Sequence, residues 1–468
     1  MDKIFVGPRL RQLRLQQKQT QADMARAIGV SAAYVNMLEN NQRSLSVQVL
    51  MALEETYSID WRELAGTDNQ TKLKDLRSAL QDPVLADKNI DIQELRSALD
   101  HAPGIVESLI RIQRNHRATL DRMMRSNARQ DSDALMASSP EAVIYDFFRD
   151  HKNYFADLEK AAERLRREEP CEADEVHLLL KRRLTKNHGI SVRIRPAEDM
   201  SSALRVFDRS RSELMLSEAL NHQNRTFQLA HMLCLVELDT VLDSLIAKSG
   251  IDTDSGIARC QVELANYFAA AFLMPYRAFY QAAEDTYYDV DRLAAAFGVS
   301  FEQACHRLTT LHRRGSEGVP FFFLRIDRAG NVTKRFNATT FNLAEYGGSC
   351  PVWNIHSTFR LPGIVHPQFV EMPDGERFFT ISRTTERPVF SHATQDRSLA
   401  LALGCAIEHA DRIGYARQFG TPSDREFSPI GISCHLCMRT ACPQRAHQPL
   451  ILDLPIDTDR RGGNRYES

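Results

Sequence analysis

The sequence predicts a multidomain chain, mainly α with α+β parts, and three observations carry that prediction. Its 468 residues exceed what one hydrophobic core organises, since single cores stop growing at about 250–300 residues. Apolar residues recur at three- and four-residue steps over most of the chain up to Gly315, the spacing of helices that bury one face. Beyond Val319 the pattern changes to short runs rich in Phe, Val and Ile with turn signals between them, which reads as strands.

The first module, residues 1–66, reads as a five-helix domain of the helix-turn-helix type. Thr20 is a good N-cap, Gln21 opens a helix with Met24, Ala25 and Ile28 on its apolar face, and Gly29-Val30-Ser31 breaks and restarts the chain. The next helix, Ala32 to Asn40, uses Val35 and Leu38 for packing. Its N-terminal end carries Ala32, Ala33, Tyr34 and Asn36, where a recognition helix meets base edges. Val6, Leu10 and Leu13 before the motif, and Val47, Leu50 and Met51 after it, supply the flanking helices. From Lys3 to Arg43 seven basic residues stand against two acidic ones, a local net of +5 in a chain of formal net charge −2. Cations therefore gather where phosphates need them. Ser31, Ala32, Ala33, Tyr34 and Asn36 are expected to read bases, with Gln21, Asn40, Asn41 and Arg43 on the backbone of a double-stranded operator.

Residues 67–140 read as a helical linker and dimerisation segment. Leu73, Leu76 and Leu80, then Leu95 and Leu99, then Ile105, Leu109 and Ile112 follow helical steps, with Pro83 and Pro103 as interruptions. DNA readers of this type work as symmetric oligomers on paired half-sites, so a homodimer or homotetramer is expected. The Ser- and Asp-rich stretch from Gln130 to Pro140 reads as a connector. No run of 18 or more apolar residues occurs and the N-terminus lacks an apolar signal segment, so a cytoplasmic protein without a membrane span is expected.

Residues 141–318 read as a mainly helical α+β domain opened by Tyr145, Phe147 and Phe148, with a strand at Ile190 to Ile194. Two of its helices carry Phe227-Gln228-Leu229-Ala230-His231-Met232-Leu233-Cys234-Leu235 and Glu263-Leu264-Ala265-Asn266-Tyr267-Phe268. With the N-terminal module, this resembles proteins that join a helix-turn-helix to a zinc-peptidase-like domain. Such peptidases need H-E-x-x-H, two histidines one turn apart as ligands and a glutamate as base. Met232 stands in the Glu position and Leu235 in that of the second His, so His231 is alone and neither a three-ligand zinc nor a base can be assembled. His231 is then a core histidine, and the expected fold is a degenerate zincin without catalytic residues.

Residues 319–456 read as an α+β domain containing a cysteine cluster. Phe321 to Asp327 is a strand, Ala329-Gly330-Asn331 a turn, and Val332 to Phe336 a second strand, with more at Arg377 to Ser382 and Val389-Phe390. The tail, 457–468, is polar and expected to be disordered. Cys434-x-x-Cys437-x4-Cys442 spaces three thiols to grip one metal centre, and a fourth ligand is needed. Cys405 is the first choice, with Cys350, His435 or His447 behind it. An all-cysteine, unevenly spaced set favours a 4Fe-4S cluster over zinc, and free cytosolic thiols are the plain alternative. Cys171, Cys234, Cys260 and Cys305 sit in helical apolar surroundings as small core residues.

Taken together, these residues resemble the short-chain fatty acyl regulator family, which includes bacterial regulators of propionate, methylcitrate and glyoxylate-bypass genes. The likeness runs from the helix-turn-helix through Ala265-Asn266-Tyr267-Phe268-Ala269-Ala270 and Leu273-Met274-Pro275-Tyr276 to Gly318-Val319-Pro320-Phe321-Phe322-Phe323. It continues through Asp327-Arg328-Ala329-Gly330-Asn331, Gly347-Gly348-Ser349-Cys350-Pro351-Val352-Trp353 and the closing cysteines. The resemblance implies a transcription factor whose central domain binds a short-chain acyl-CoA, such as propionyl- or acetyl-CoA, and a four-iron cluster in some members. A CoA site needs cations for phosphate and apolar surface for adenine and acyl group, and no glycine-rich phosphate loop is present. Arg193, Arg209 and Arg211 are the candidate phosphate contacts, with Tyr267, Phe268 and Phe272 as the aromatic surface. Two alternatives stand beside the acyl-CoA sensor: a regulator that responds to redox loss of a cluster, and a regulatory metalloprotease, against which the missing glutamate and histidine argue.

Overall fold

The computed structural model describes residues 7–40, 42–57, 69–80, 91–126, 140–337, 339, 341, 350–386, 398–419, 426–449, 452 and 454. The chain divides into two compact units, Met1–Asp131 and Ser132–Ser468.

The first unit begins with α1 (Gly7–Gln16), α2 (Gln21–Ala27), α3 (Ala32–Glu39) and α4 (Val47–Tyr57). Thr20 and Asp23 form a reciprocal capping box at the start of α2, and Ser31 accepts from the Tyr34 amide at 3.1 Å at the start of α3. Between them Gly29 has φ +70°, and the Val30 amide donates to Ala25 O at 2.9 Å, closing α2 tightly enough for α3 to cross it. Leu10, Leu13, Met24, Ala25, Ile28, Val35 and Leu38 form the core, joined by Val49, Leu50 and Leu53 of α4. Val47 and Met51 do not join it: the inward stripe of α4 is Val49-Leu50-Leu53, which leaves both on the solvent face. Val6, and any fifth helix after Tyr57, lie outside the described residues.

Three further helices follow in this unit, α5 (Asn69–Leu80), α6 (Ile92–His101) and α7 (Pro103–Ser126). Pro103 stands at the first position of α7, where a missing N–H costs nothing. The core here is Leu76, Leu95, Leu99, Val106 and Ile110, so the buried face of α7 is one position off the expected Ile105 and Ile112, which are exposed.

The second unit opens with α8 (Pro140–Asp150), α9 (Ala156–Glu168) and α10 (Val176–His188). A three-stranded sheet comes next, β1 (Ser191–Arg195), β2 (Arg205–Asp208) and β3 (Glu213–Ser217), ordered β1-β3-β2 with β1 and β3 parallel. The helical layer is α11 (His222–Glu237), α12 (Asp239–Ala247), α13 (Asp254–Leu273), α14 (Tyr276–Asp285), α15 (Val290–Phe297) and α16 (Phe301–Leu308). A six-stranded sheet ordered β5-β4-β8-β7-β6-β9 then forms from β4 (Phe322–Ile326), β5 (Val332–Asn337), β6 (His366–Glu371), β7 (Arg377–Glu386), β8 (Ser398–Ala406) and β9 (Ser428–Pro429). Gly330, with φ +83°, turns β4 into β5.

Strand alternation gives the larger sheet two apolar faces. Phe321, Phe323, Phe379, Leu401, Leu403 and Cys405 join the core of the helical layer. Phe322, Leu324, Phe378, Ala400 and Ala402 pack on the other face with Trp353, Ile355, Ile430 and Cys350. The strand expected at Val389-Phe390 falls outside the described residues, as do Pro83, most of the connector, Gly347 to Ser349 and the tail.

Candidate DNA-binding surface and ligand cavity

The start of α3 is free of the core. Ser31, Ala32, Ala33, Asn36 and Asn40 are exposed and Tyr34 is half-buried, while Val35 and Leu38 face inward. Asn36 Oδ1 accepts from Asn40 Nδ2 at 2.9 Å and from Gln21 Nε2 at 3.4 Å, leaving its Nδ2 as a donor. Gln21 also donates to Glu39 Oε2 at 2.7 Å, and Glu39 is clamped by Arg14 at 2.6 Å. These contacts lock α1, α2 and α3 together behind the exposed end. Arg43 is exposed, and Asn41 lies outside the described residues.

In the second unit, His231 on α11 is buried, and its Nδ1 accepts from Arg205 Nη1 on β2 at 2.7 Å. Burial, reinforced by the Arg205 charge, pushes its pKa down to about 3, so the imidazole is neutral. A neutral imidazole has one ring lone pair, and Arg205 takes it. Glu263 on α13 is similarly occupied: Oε1 meets Arg259 at 3.2 Å, and Oε2 meets Asn266 at 3.3 Å and Lys334 at 3.6 Å. Burial opposes its charge, but Lys334, Arg259 and Asn266 outweigh that and hold its pKa below the ordinary carboxylate value. Protein cations thus take up both His231 and Glu263. Among the described residues no group of three or more His, Cys, Asp or Glu is placed to hold a metal ion.

Beside Glu263, a cavity of about 500 Å³ opens between the helical layer and strands β4 and β5, within the size range of small-molecule sites. Phe148, Leu204, Phe227, Tyr267, Phe336 and Leu399 give it apolar walls, and Asn153, Asn224, Gln228, Asn266 and Gln303 bring amides. Its charged lining includes Glu263, Glu302, Arg325 and Lys334. Arg325 donates to Glu302 Oε1 at 2.7 Å and to Thr333 Oγ1 at 2.9 Å. His306 packs edge-on against Phe323 and Phe336, and burial beside Lys334 and Arg325 keeps it neutral. Behind the wall, Tyr267 donates to Glu159 Oε1 at 2.7 Å, and Arg307 grips both Glu159 oxygens at 2.5 and 3.0 Å and Thr310 Oγ1 at 3.0 Å. Tyr267 and Thr310 line the cavity, so its floor rests on a fully buried ion pair.

The cysteine loop lies on the other side of the larger sheet. Arg445 donates to the carbonyls of Cys434 and Cys437, each at 3.2 Å, and holds the loop closed. Cys437 Sγ sits so near Gly431 that a Cβ there would approach it to 2.7 Å. Burial raises the Cys350 pKa, and the neighbouring thiols of Cys437 and Cys434 add to it. Cys405 is elsewhere: alternation along β8 buries it with Leu401 and Leu403 on the helical face, where its charged neighbours are Glu408 and Arg412. The structure therefore brings Cys350, and not Cys405, to the loop.

A helix-turn-helix family model matches residues 10–64, an IrrE N-terminal-like domain of the peptidase M78 type matches 185–309, and the C-terminal domain of the short-chain fatty acyl coenzyme A regulators matches 310–466. The propionyl-CoA carboxylase regulator of Cereibacter sphaeroides is 36% identical over 466 residues, 99% of either chain. The chain belongs to the short-chain fatty acyl coenzyme A regulator family. The HTH-type transcriptional regulator RamB of Mycobacterium tuberculosis is 34% identical over 472 residues, covering 100% of this chain and 99% of its own. A solved Mycobacterium tuberculosis transcriptional regulator matches with a TM-score of 0.66 and 36% identity over 71% of this chain and all of its own. Like these relatives, this family member is a DNA-binding transcriptional regulator and not an enzyme. No helix among its described residues is long and apolar enough to cross a membrane.

Of the residues expected at an acyl-CoA site of this regulator, Tyr267 alone lines the cavity. Phe268 and Phe272, on the next faces of α13, are buried in the core, and Arg166 stacks over Phe272. Arg193 projects from β1 and pairs with Glu213 at 3.1 Å, while Arg209 and Arg211 sit in the turn between β2 and β3. None of the three arginines lines the cavity. Its cations are Lys334 and Arg325, which sequence reasoning missed. The available signal was two basic residues inside apolar strand patterns of a domain otherwise read only for its cysteines.

Proposed function

We propose that this regulator is a cytoplasmic, ligand-gated transcription factor: a short-chain acyl-CoA occupies the cavity lined by Tyr267 and shifts the affinity of the α3 surface for a double-stranded operator. The observation that carries the reading is a cavity with apolar walls, pantetheine-compatible amides and two cations, set in a scaffold where His231 and Glu263 are held by Arg205 and Lys334. A ligand regulates only through a difference in affinity between two states, so occupancy must change DNA binding. Titration of the full chain with propionyl-CoA, acetyl-CoA and free CoA, followed by operator binding with each, tests this. Saturable binding of an acyl-CoA that changes operator affinity is expected; no binding of any acyl-CoA overturns it. Action as a homo-oligomer belongs to the same reading, since paired half-sites call for two recognition helices.

The cysteine loop is the candidate holder of a 4Fe-4S cluster, with Cys434, Cys437 and Cys442 as thiolates and Cys350 in place of Cys405 as the fourth; their side chains do not form a ligand group as they stand, so the loop would have to draw them together. Such a cluster would supply a redox-sensitive structural tie between the loop and the sheet face beneath it. Anaerobically purified protein should then absorb broadly in the visible range. Cys350→Ser should remove that absorbance and Cys405→Ser should keep it; the opposite pattern would restore Cys405 as the ligand.

A further inference from the structure

The cations lining the cavity come from strands of the larger sheet, and the carboxylates that hold them come from the facing helices. Lys334 of β5 meets Glu263 of α13 at 3.6 Å, and Arg325 of β4 meets Glu302 of α16 at 2.7 Å. Both positive charges are therefore matched inside the protein, and an anionic group that approaches either one competes with a carboxylate for it.

The two pairs differ in how readily that can happen. Glu302 has, besides Arg325, the neutral His306 at 3.9 Å, so losing Arg325 would strand a partly buried charge. Arg325 is fastened in addition to Thr333. Glu263 keeps Arg259 on Oε1 and Asn266 on Oε2 after Lys334 leaves, and the Lys334 contact is the longest of its three. Lys334 itself is a compact point charge on a flexible stem above the Phe336 ring, 5.3 Å from its centroid, and suits exchange between partners.

We infer that Glu263 is a built-in competitor for the ligand: it holds Lys334 in the ligand-free cavity and yields it to a phosphate group of the bound molecule. This rests on the acyl-CoA reading of the cavity. The Glu263 carboxylate thereby gains a regulatory use, lowering the apparent affinity of the cavity for anions. The exchange also acts on β5 at a point where its neighbours reach α8. Arg335 stacks on Tyr145 at 4.6 Å and Phe336 faces Phe148 at 6.1 Å, and α8 is the first described element of the second unit.

Calorimetric titration of the full chain with propionyl-CoA separates the possibilities. If the Glu263–Lys334 pair is closed about nine-tenths of the time, the apparent affinity is lowered about tenfold, and Glu263→Gln should restore it. Lys334→Met should weaken binding about tenfold or more, and the double variant should bind no more tightly than Lys334→Met. Glu263→Asp, which draws the carboxylate back by one methylene while keeping its charge for Arg259, should also tighten binding and serves if the glutamine variant is unstable. Wild-type binding that Glu263→Gln and Glu263→Asp weaken or leave unchanged overturns the competition alone. Absence of binding in the wild type and every variant overturns the acyl-CoA reading with it.

Discussion

The exposed start of α3 and the cavity above α13 are built on opposite plans. The α3 surface is made by about twenty consecutive residues, whose caps, turn and apolar positions are close neighbours in sequence. The cavity is made by residues from 148 to 399, and its floor depends on a contact between Glu159 and Arg307, 148 positions apart. A local site can change its contacts without disturbing the fold, whereas a distributed one shares its supports with the core.

The sharpest way to test that difference is to cut a support of each. Arg307→Leu leaves the Glu159 carboxylate buried without its cation, and breaking such pairs typically costs about 3–5 kcal/mol. Chemical denaturation should show that loss in the second unit, and ligand binding should fail with it because Thr310 loses its partner and the Glu159 that holds Tyr267 loses its cation. Unchanged stability would mean that water reaches the pair and that the floor is not built on it.

The buried His231 provides a second contrast, through pH. The His231 pKa is lowered to about 3 by burial and Arg205, so the unfolded chain binds a proton there more readily than the folded one does. Its contribution is present above the unfolded value of about 6.5 and is lost progressively as pH falls toward 3. Stability measured between pH 7.5 and 4 should therefore decline, and His231→Leu should flatten part of that decline. No titrating group of this kind belongs to the α3 surface, whose affinity for DNA should respond to salt more than to pH. An identical pH slope in the variant would show that His231 titrates normally.

The same contrast explains what the sequence revealed. The turn at Gly29 and the caps Thr20 and Ser31 are read in order along the chain, so the helix-turn-helix was legible. Cys350 was ranked behind Cys405 because period-two alternation assigns a strand residue to a face only once the strand β8 is known, and β8 had not been recognised. Lys334 and Arg325 were invisible for a related reason: nothing near them in sequence tells that β4 and β5 close over α13 and α16. Arg193, Arg209 and Arg211 looked like anion contacts because exposure, pairing and distance from the cavity are properties of the folded chain.

Two smaller effects examine the local site by itself. Asn36→Ala removes the amide donor held outward by Asn40 and Gln21, and a lost base contact should cost about 1–3 kcal/mol of operator affinity while propionyl-CoA affinity stays unchanged. Equal operator binding by the variant would move base reading to Ser31, Ala32, Ala33 and Tyr34.

The smallest expected effect is at Ser31, which has two separable roles. Its Oγ accepts from the Tyr34 amide and caps α3, and removal of such a cap costs about 1 kcal/mol of stability. Ser31→Asp preserves the cap but places a negative charge at the surface expected to face phosphate, whereas Ser31→Ala removes the cap without adding charge. If α3 enters a groove, Ser31→Asp should leave thermal stability near wild type and weaken operator binding more than Ser31→Ala does. The reverse ranking, with the alanine variant binding worse, would mean that helix order at this end matters more than its approach to DNA, and the α3 surface would then depend on its supports as the cavity does.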